Sequence, residues 1–128
     1  MCTVSWLHES DRYQLLCNRD EQRSRVAAHP PRIDSCDGVR FIAPYDPVGG
    51  GTWIAANEFG VTLCLLNANG VRKPNSRGQV IPQLISEKNT GDLRDRLEAL
   101  DLGSTSPFTL VFTSPRNEPA IAHWNGTD

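Results

Sequence analysis

Residues 49–67 read GGGTWIAANEFGVTLCLLN and decide the first step of the interpretation. Two runs rich in β-branched and aromatic residues, 52–56 and 61–66, flank the turn-like segment 57–60, in which Gly60 can supply a positive φ. This pattern predicts a β-hairpin. The open end of the hairpin would bring Gly50 and Gly51 close to Asn67.

A second hairpin is predicted at the start of the chain, from residues 2–8 and 13–18, with a turn at Glu9-Ser10-Asp11. A three-residue loop would place Cys2 opposite Asn18, whereas a two-residue loop would place it opposite Arg19. Both registers bring the start of the chain beside residues 18–21, which read Asn-Arg-Asp-Glu.

Proline, glycine and Asp-Gly signals dominate residues 22–50, so we expect a long surface excursion there with one short strand at residues 39–43. Residues 76–79 have the Ser-x-x-Gln spacing of a capping box, and a helical spacing of apolar residues follows, although Pro82 argues against a regular helix. A clearer helix follows, with Thr90 or Asp92 as cap, Leu93, Leu97 and Leu100 as its apolar stripe, and Gly103 as its end.

A third hairpin is predicted from residues 108–113 and 119–124. The resulting order of strand pairs, helices and a final strand pair favours an α+β fold with largely antiparallel sheets. The 128 residues match a single domain, here residues 1–128, and exclude a two-domain enzyme.

The composition limits which classes of binding partner and which cellular compartment fit this protein. A formal net charge of −2 argues against nucleic acid as a partner, and the short apolar runs argue against membrane insertion. The four cysteines are widely spaced, without a Cys-x-x-Cys motif, and the three histidines are scattered, so no metal site and no cofactor are predicted. We expect a soluble protein of the reducing cytoplasm.

Cys2 carries the most chemical information. A small residue after Met1 allows removal of the methionine, which would leave a cysteine that holds both a thiol and a free α-amine. With reference pKa values of about 8.5 and about 7.7 to 8.0, the amine can take the proton of the thiol near neutral pH. The structural alternative is that the order Met-Cys is accidental.

Polar residues at the ends of two predicted strands could assist Cys2 as a nucleophile. Arg19 can lower the pKa of the thiol and hold a substrate carbonyl or carboxylate, and Asp20 can orient the α-amine. Asn67, beside the glycine run, offers an oxyanion donor. The structural alternative for Arg19 and Asp20 is a solvated turn after the second strand. For Asn67 it is the ordinary end of a hairpin.

The combination of Met1-Cys2, Asn18-Arg19-Asp20-Glu21, Gly50-Gly51-Thr52-Trp53 and Ser76-Arg77-Gly78 resembles the NRDE family, the transport and Golgi organization protein 2-like proteins. That family is in turn similar to N-terminal-nucleophile cysteine hydrolases of the bile salt hydrolase and penicillin V acylase group. The resemblance implies a four-layer αββα sandwich, of which this chain would form the N-terminal half. The chain would then be a fragment, a naturally shortened member, or a protein that completes its sheets by association, for example as a homo-oligomer.

By the same resemblance the reaction is hydrolysis of a non-peptide amide. Cys2 would be the nucleophile and its own base, Arg19 and Asp20 its supports, and Asn67 the oxyanion donor. From the residues themselves we predict that Asn18, Gly51 and Trp53 bind substrate, with Trp53 forming one side of an apolar acyl pocket beside the glycine run. The alternative is a non-catalytic family member that binds or traffics haem or a lipid-like ligand. Arg72, Lys73 and Arg77 form a mild basic cluster, read either as a solvated face or as a site for an anionic group.

Overall fold

The computed structural model describes residues 2–127, so the expected removal of Met1 lies outside the described residues. The elements in chain order are β1 (Thr3–His8), β2 (Tyr13–Asn18), β3 (His29–Cys36), β4 (Val39–Tyr45), β5 (Ile54–Asn57), β6 (Thr62–Asn67), two 3-10 helices (Arg77–Gln79 and Ile81–Gln83), α1 (Thr90–Ala99), β7 (Phe108–Ser114) and β8 (Asn117–Trp124). The fold is therefore mixed and rich in antiparallel sheet, as predicted at the level of class.

The strands form two sheets. β1 pairs with β2 alone, and the other six strands follow one another as an antiparallel meander in the order β3-β4-β5-β6-β7-β8. In the first hairpin Thr3 lies opposite Asn18, and the Glu9 N–H donates to the Arg12 carbonyl at 2.8 Å. This is the register of the two-residue loop, which continues toward Cys2 beside Arg19.

The small sheet packs on the large one through polar contacts at β6 and β7. The Tyr13 hydroxyl donates to the Gly60 carbonyl at 2.7 Å and contacts the Thr62 hydroxyl, and the His8 Nε2 lies 3.0 Å from the Ser114 carbonyl oxygen. Side chains alternate along β2, so Tyr13 is half-buried whereas its neighbour Gln14 is exposed.

The opposite face of the large sheet holds the core. Leu63 and Leu65 belong to an apolar cluster that includes residues of the helical segment, Val80, Ile81, Leu84, Ile85, Leu93 and Leu97. Thr62 alternates with these leucines along β6 and contacts the first hairpin on the other face. The layers are thus a helical layer, the six-stranded sheet and the two-stranded sheet.

The surface excursion expected at residues 22–50 was wrong in part. The short strand predicted at residues 39–43 is confirmed as the seven-residue β4, but β3 forms an eight-residue strand that was not predicted. A turn at Asp37 and Gly38, with φ values of 50° and 77°, joins them. β3 is an exposed edge strand, so its sequence need not be apolar, and its two prolines lie where the pairing breaks between His29 and Arg32.

The helical segment differs from the prediction in detail. Ser76 does cap, accepting from the Gly78 N–H at 3.3 Å, but two 3-10 helices follow and the second contains Pro82. Asn89, rather than Thr90 or Asp92, caps α1. The helix ends when Leu100 adopts extended backbone, ahead of Gly103. The third hairpin is confirmed as β7 and β8, and no helix within residues 2–127 has the length and apolar character to span a membrane.

Candidate functional site

A cavity of about 490 Å³ brings together four of the residues that the sequence singled out. Cys2, Arg19, Trp53 and Asn67 all contribute to its lining. They come from the start of the chain, the end of β2, the entrance to β5 and the end of β6. The ends of the first two predicted hairpins therefore meet at one site.

Three other predicted residues lie elsewhere. Asn18 lies on β2 opposite Thr3, and neither Asn18 nor Asp20 contributes to the lining. Alternation explains this, since neighbours of a half-buried residue in extended chain point the other way, and Arg19 is the half-buried one. Gly51 is buried behind the cavity surface.

Asp46 is the carboxylate that binds Arg19, a contact that was not predicted from the sequence. Its Oδ2 accepts from the Nη2 of Arg19 at 3.0 Å and from the Nη2 of Arg25 at 2.6 Å. Glu21 pairs with the same two arginines at 3.2 Å and 3.8 Å. The Arg19 guanidinium also lies 4.1 Å from the centre of the Trp53 ring, a cation–π arrangement. Arg19 is therefore fixed from three sides.

The loop after β4 holds Asp46 in place. The Val48 N–H donates to its Oδ1 at 3.0 Å, its own N–H donates to the Gly51 carbonyl at 2.8 Å, and its carbonyl accepts from Gly50 at 2.8 Å. Burial would raise the pKa of Asp46, but hydrogen bonds from Arg25 and from the Val48 and Gly49 N–H groups outweigh it and keep the pKa below its ordinary value. The sequence analysis missed Asp46, although an aspartate that can bond to its own backbone is a known turn signal.

Gly51 forms a close backbone contact with the Ser76-Arg77-Gly78 segment. The Thr52 N–H donates to the Gly78 carbonyl at 3.0 Å, and a Cβ at Gly51 would lie 2.0 Å from the same oxygen. Only glycine allows this approach. The structure thus ties the third of the sequence motifs, Gly50-Gly51-Thr52-Trp53, to the fourth, Ser76-Arg77-Gly78.

Arg77 and Asn67 occupy neighbouring parts of the cavity lining. Arg77 donates from Nε to the Pro107 carbonyl at 2.6 Å and from Nη2 to the Ala68 carbonyl at 3.2 Å, which fixes the loops around the end of β6. Asn67 is exposed, and its side-chain amide makes no hydrogen bond to the rest of residues 2–127. Its N–H groups are available to a ligand.

A pair of thiols lies beneath the first hairpin. Cys17 is half-buried, and the hydrogen bond from buried Cys64 lowers the pKa of Cys17 to about 7, against the opposing effect of burial. The pKa of Cys64 is raised, by that hydrogen bond, by burial and by the negative charges that Cys17 and Cys2 can carry. The proton therefore stays on the more buried sulfur.

This pair predicts a reactive Cys17. Alkylation of Cys17 by iodoacetamide at pH 7 is expected to slow about tenfold in Cys64→Ala, because loss of the donor returns the pKa of Cys17 toward its reference value. Cys64→Ser retains a donor and should alkylate nearly as fast as the wild type. Mass mapping of the modified peptide gives both rates, and equal rates in the two variants would contradict the role of the hydrogen bond.

No metal site is evident in the described part of the chain. Residues 2–127 contain no group of three or more His, Cys, Asp or Glu side chains close enough to share an ion. His8 contacts the Ser114 carbonyl, His29 contacts Tyr45 and His123 contacts Thr109, so the histidines lie in separate places.

Comparison with known proteins identifies the family but no closer relative. No significant match to the chain was found among curated proteins or among solved structures. The family model described as Transport and Golgi organisation 2 matches residues 1–127, which is almost the whole chain. The NRDE-family resemblance read from the motifs is thereby confirmed, and the chain belongs to the transport and Golgi organisation 2 family.

Proposed function

We propose that this domain is a cysteine amidohydrolase of the N-terminal-nucleophile type that acts on a non-peptide amide. The observation that carries the proposal is the common cavity of Cys2, Arg19, Trp53 and Asn67. A nucleophile, a fixed cation, an aromatic surface and a free amide donor are the parts that acyl transfer requires.

The reaction starts once Met1 has been removed. The α-amine of Cys2 takes the proton of the thiol, and the sulfur attacks the acyl carbon of the amide. The Asn67 amide stabilises the tetrahedral oxyanion, the C–N bond breaks, and the leaving amine takes the proton from the α-ammonium group. Water then attacks the thioester, so the carboxylic acid leaves and the thiol is restored.

Arg19 and Trp53 position the reacting groups. Because Asp46, Glu21 and the Trp53 ring fix the Arg19 guanidinium, it presents its remaining donors to the cavity with little loss of side-chain entropy on binding. The face of Trp53 offers an apolar surface for the acyl chain. Asp46 supports the site through Arg19, and the proposed role of Asp20 is to orient the α-amine of Cys2.

The proposal includes the fold of the related hydrolases. The order of helical layer, six-stranded sheet and two-stranded sheet is compatible with three layers of an αββα sandwich. We propose that the chain corresponds to the N-terminal half of that sandwich and that it associates as a homo-oligomer. Four free cysteines support the expectation of a reducing compartment such as the cytoplasm.

An electrophilic acyl probe tests the proposed function. The wild type is expected to form a thioester on Cys2, located by peptide mass mapping, whereas Cys2→Ala should carry no adduct at this position and remain folded. Asn67→Ala is expected to slow acylation of Cys2 by about a hundredfold, because it removes an oxyanion donor.

Two controls separate this reaction from general thiol reactivity. Cys36→Ala changes a cysteine outside the cavity and should leave labelling of Cys2 unchanged. Intact mass should show that Met1 is absent from the reactive protein. Cys2 that is never acylated, or an adduct carried equally by Asn67→Ala, would refute the proposal.

A second cavity favours ligand binding as the alternative. It measures about 410 Å³ and is largely apolar, with Leu97, Leu102, Phe108 and Trp124 in its lining. His123 borders it, but so do Glu98 and Asp101, which would face the carboxylates of haem, so the charges do not fit that group. A neutral lipid-like ligand fits better. If Cys2 is never acylated, binding of such a ligand here becomes the better account of this domain.

A further inference from the structure

The charges around the first cavity are unequal. Its lining contains five cations (Arg19, Arg25, Arg72, Lys73 and Arg77) but only two carboxylates (Glu21 and Asp46) among the residues described. The cavity thus has a formal surplus of three positive charges, whereas the whole chain carries a formal charge of −2. A cleft lined by one sign of charge concentrates ligands of the opposite sign.

The surplus comes from three residues, Arg72, Lys73 and Arg77, which we call the basic wall. Both carboxylates are engaged by Arg19 and Arg25. None of the ion pairs within residues 2–127 includes a member of the basic wall. The charges of the wall are therefore not neutralised by a carboxylate of the described chain.

Neutral groups fix Arg77 and Lys73 without neutralising them, whereas Arg72 is exposed. Arg77 donates to the carbonyls of Pro107 and Ala68. The Nζ of Lys73 donates to the Gly103 carbonyl at 2.7 Å and lies 5.8 Å from the centre of the Trp124 ring, at the border with the second cavity. Burial and the neighbouring charge of Arg72 both lower the pKa of Arg77. Like charges held together in a partly buried place repel each other, and a bound anion would relieve that repulsion.

The basic wall lies next to the proposed oxyanion donor. Arg77 contacts the carbonyl of Ala68, the residue that follows Asn67. We infer that the basic wall binds an anionic group of the ligand, so that this site takes acyl compounds that also carry a carboxylate or a phosphate. The acyl part of this inference rests on the proposed function, whereas the anion site itself does not.

Two matched acyl probes test the inference. One probe ends in a carboxylate and the other in a neutral carboxamide of the same length, and the rate of acylation of Cys2 is measured with each. We expect the wild type to prefer the anionic probe about tenfold, and the preference to fall near unity in Arg72→Gln/Lys73→Gln. Arg77 is left unchanged because it also holds the loops together.

The control changes charge away from the cavity. Arg94→Gln removes one positive charge from the exposed surface of α1 and should preserve the preference for the anionic probe. A wild type that acylates Cys2 equally fast with both probes would overturn the inference and leave the proposed function intact.

Anion binding is also measured without the nucleophile. In Cys2→Ala, inorganic phosphate or acetate at constant ionic strength should raise Tm by a few degrees, and Arg72→Gln/Lys73→Gln in the same background should abolish the rise. A larger rise in Tm with phosphate than with acetate would indicate that the basic wall binds a phosphate group of the ligand. An equal rise in Tm with the two anions would indicate that it binds a carboxylate. No rise with either anion contradicts the inference, whereas a rise without any acylation of Cys2 in the wild type retains the anion site and refutes the hydrolase.

Discussion

Replacing Asp46 by asparagine is expected to lower the free energy of unfolding by about 3 kcal/mol at neutral pH, since the loss of one member of a largely buried ion-pair network leaves its partners uncompensated. Asp46 is 9% exposed and binds both Arg19 and Arg25. The amide of asparagine keeps the shape of the side chain but not its charge. Urea denaturation of the wild type and Asp46→Asn at pH 7 gives the difference directly.

The effect of Asp46→Asn should depend on pH. The pKa of Asp46 in the folded protein lies below its unfolded value, so the carboxylate contributes its full stability above an unfolded pKa of about 3.9 and loses it as pH falls through the folded pKa. The difference between wild type and variant should therefore shrink in acid. The matched control is Glu58→Gln, which removes the charge of Glu58 from its exposed ion pair with Arg40. It should lower the free energy of unfolding at pH 7 much less than Asp46→Asn does. Equal losses in the two variants would contradict the structural role of Asp46.

Gly51→Ala is expected to destabilise the domain by about 3 kcal/mol or more, which corresponds to a fall in Tm of about 10 °C. The new Cβ would lie 2.0 Å from the Gly78 carbonyl oxygen and 2.3 Å from its carbon, both rigid backbone atoms. The loop that carries Asp46 would have to move away from the Ser76-Arg77-Gly78 segment. Thermal unfolding followed by circular dichroism measures the loss.

The facing glycine supplies the control for Gly51→Ala. A Cβ at Gly78 would meet its nearest neighbours, among them the Gly51 Cα, at 3.5 Å, which is ordinary contact. Gly78→Ala should therefore be neutral or slightly stabilising, since alanine also restricts the unfolded chain. Similar Tm values for Gly51→Ala and Gly78→Ala would show that this backbone contact is not tight in solution.

Local patterns predicted three hairpins well, because alternating side chains and turn residues act over short distances. Residues 2–18, 52–67 and 108–124 all form the expected strand pairs, with ends that differ by a residue or two. The structure brings the ends of the first two hairpins together, so that Cys2, Arg19 and Asn67 line one cavity. The catalytic roles of these residues stay predictions.

Long-range contacts explain what the sequence analysis missed. Asp46 lies in a proline- and glycine-rich turn, and nothing local marks it as the partner of Arg19, which is 27 positions away. β3 was missed because an edge strand needs no apolar face. Asp20 was predicted to orient the α-amine of Cys2, and this role stays a prediction.

The edges of the large sheet influence how copies of this chain can associate. β3 and β8 form these edges, and each has proline near a break in its pairing, Pro30 and Pro31 in β3 and Pro119 in β8. A residue without an N–H interrupts the row of donors that an incoming strand would use. Growth of fibrils by strand-to-strand stacking is therefore disfavoured at both edges of the large sheet in this chain.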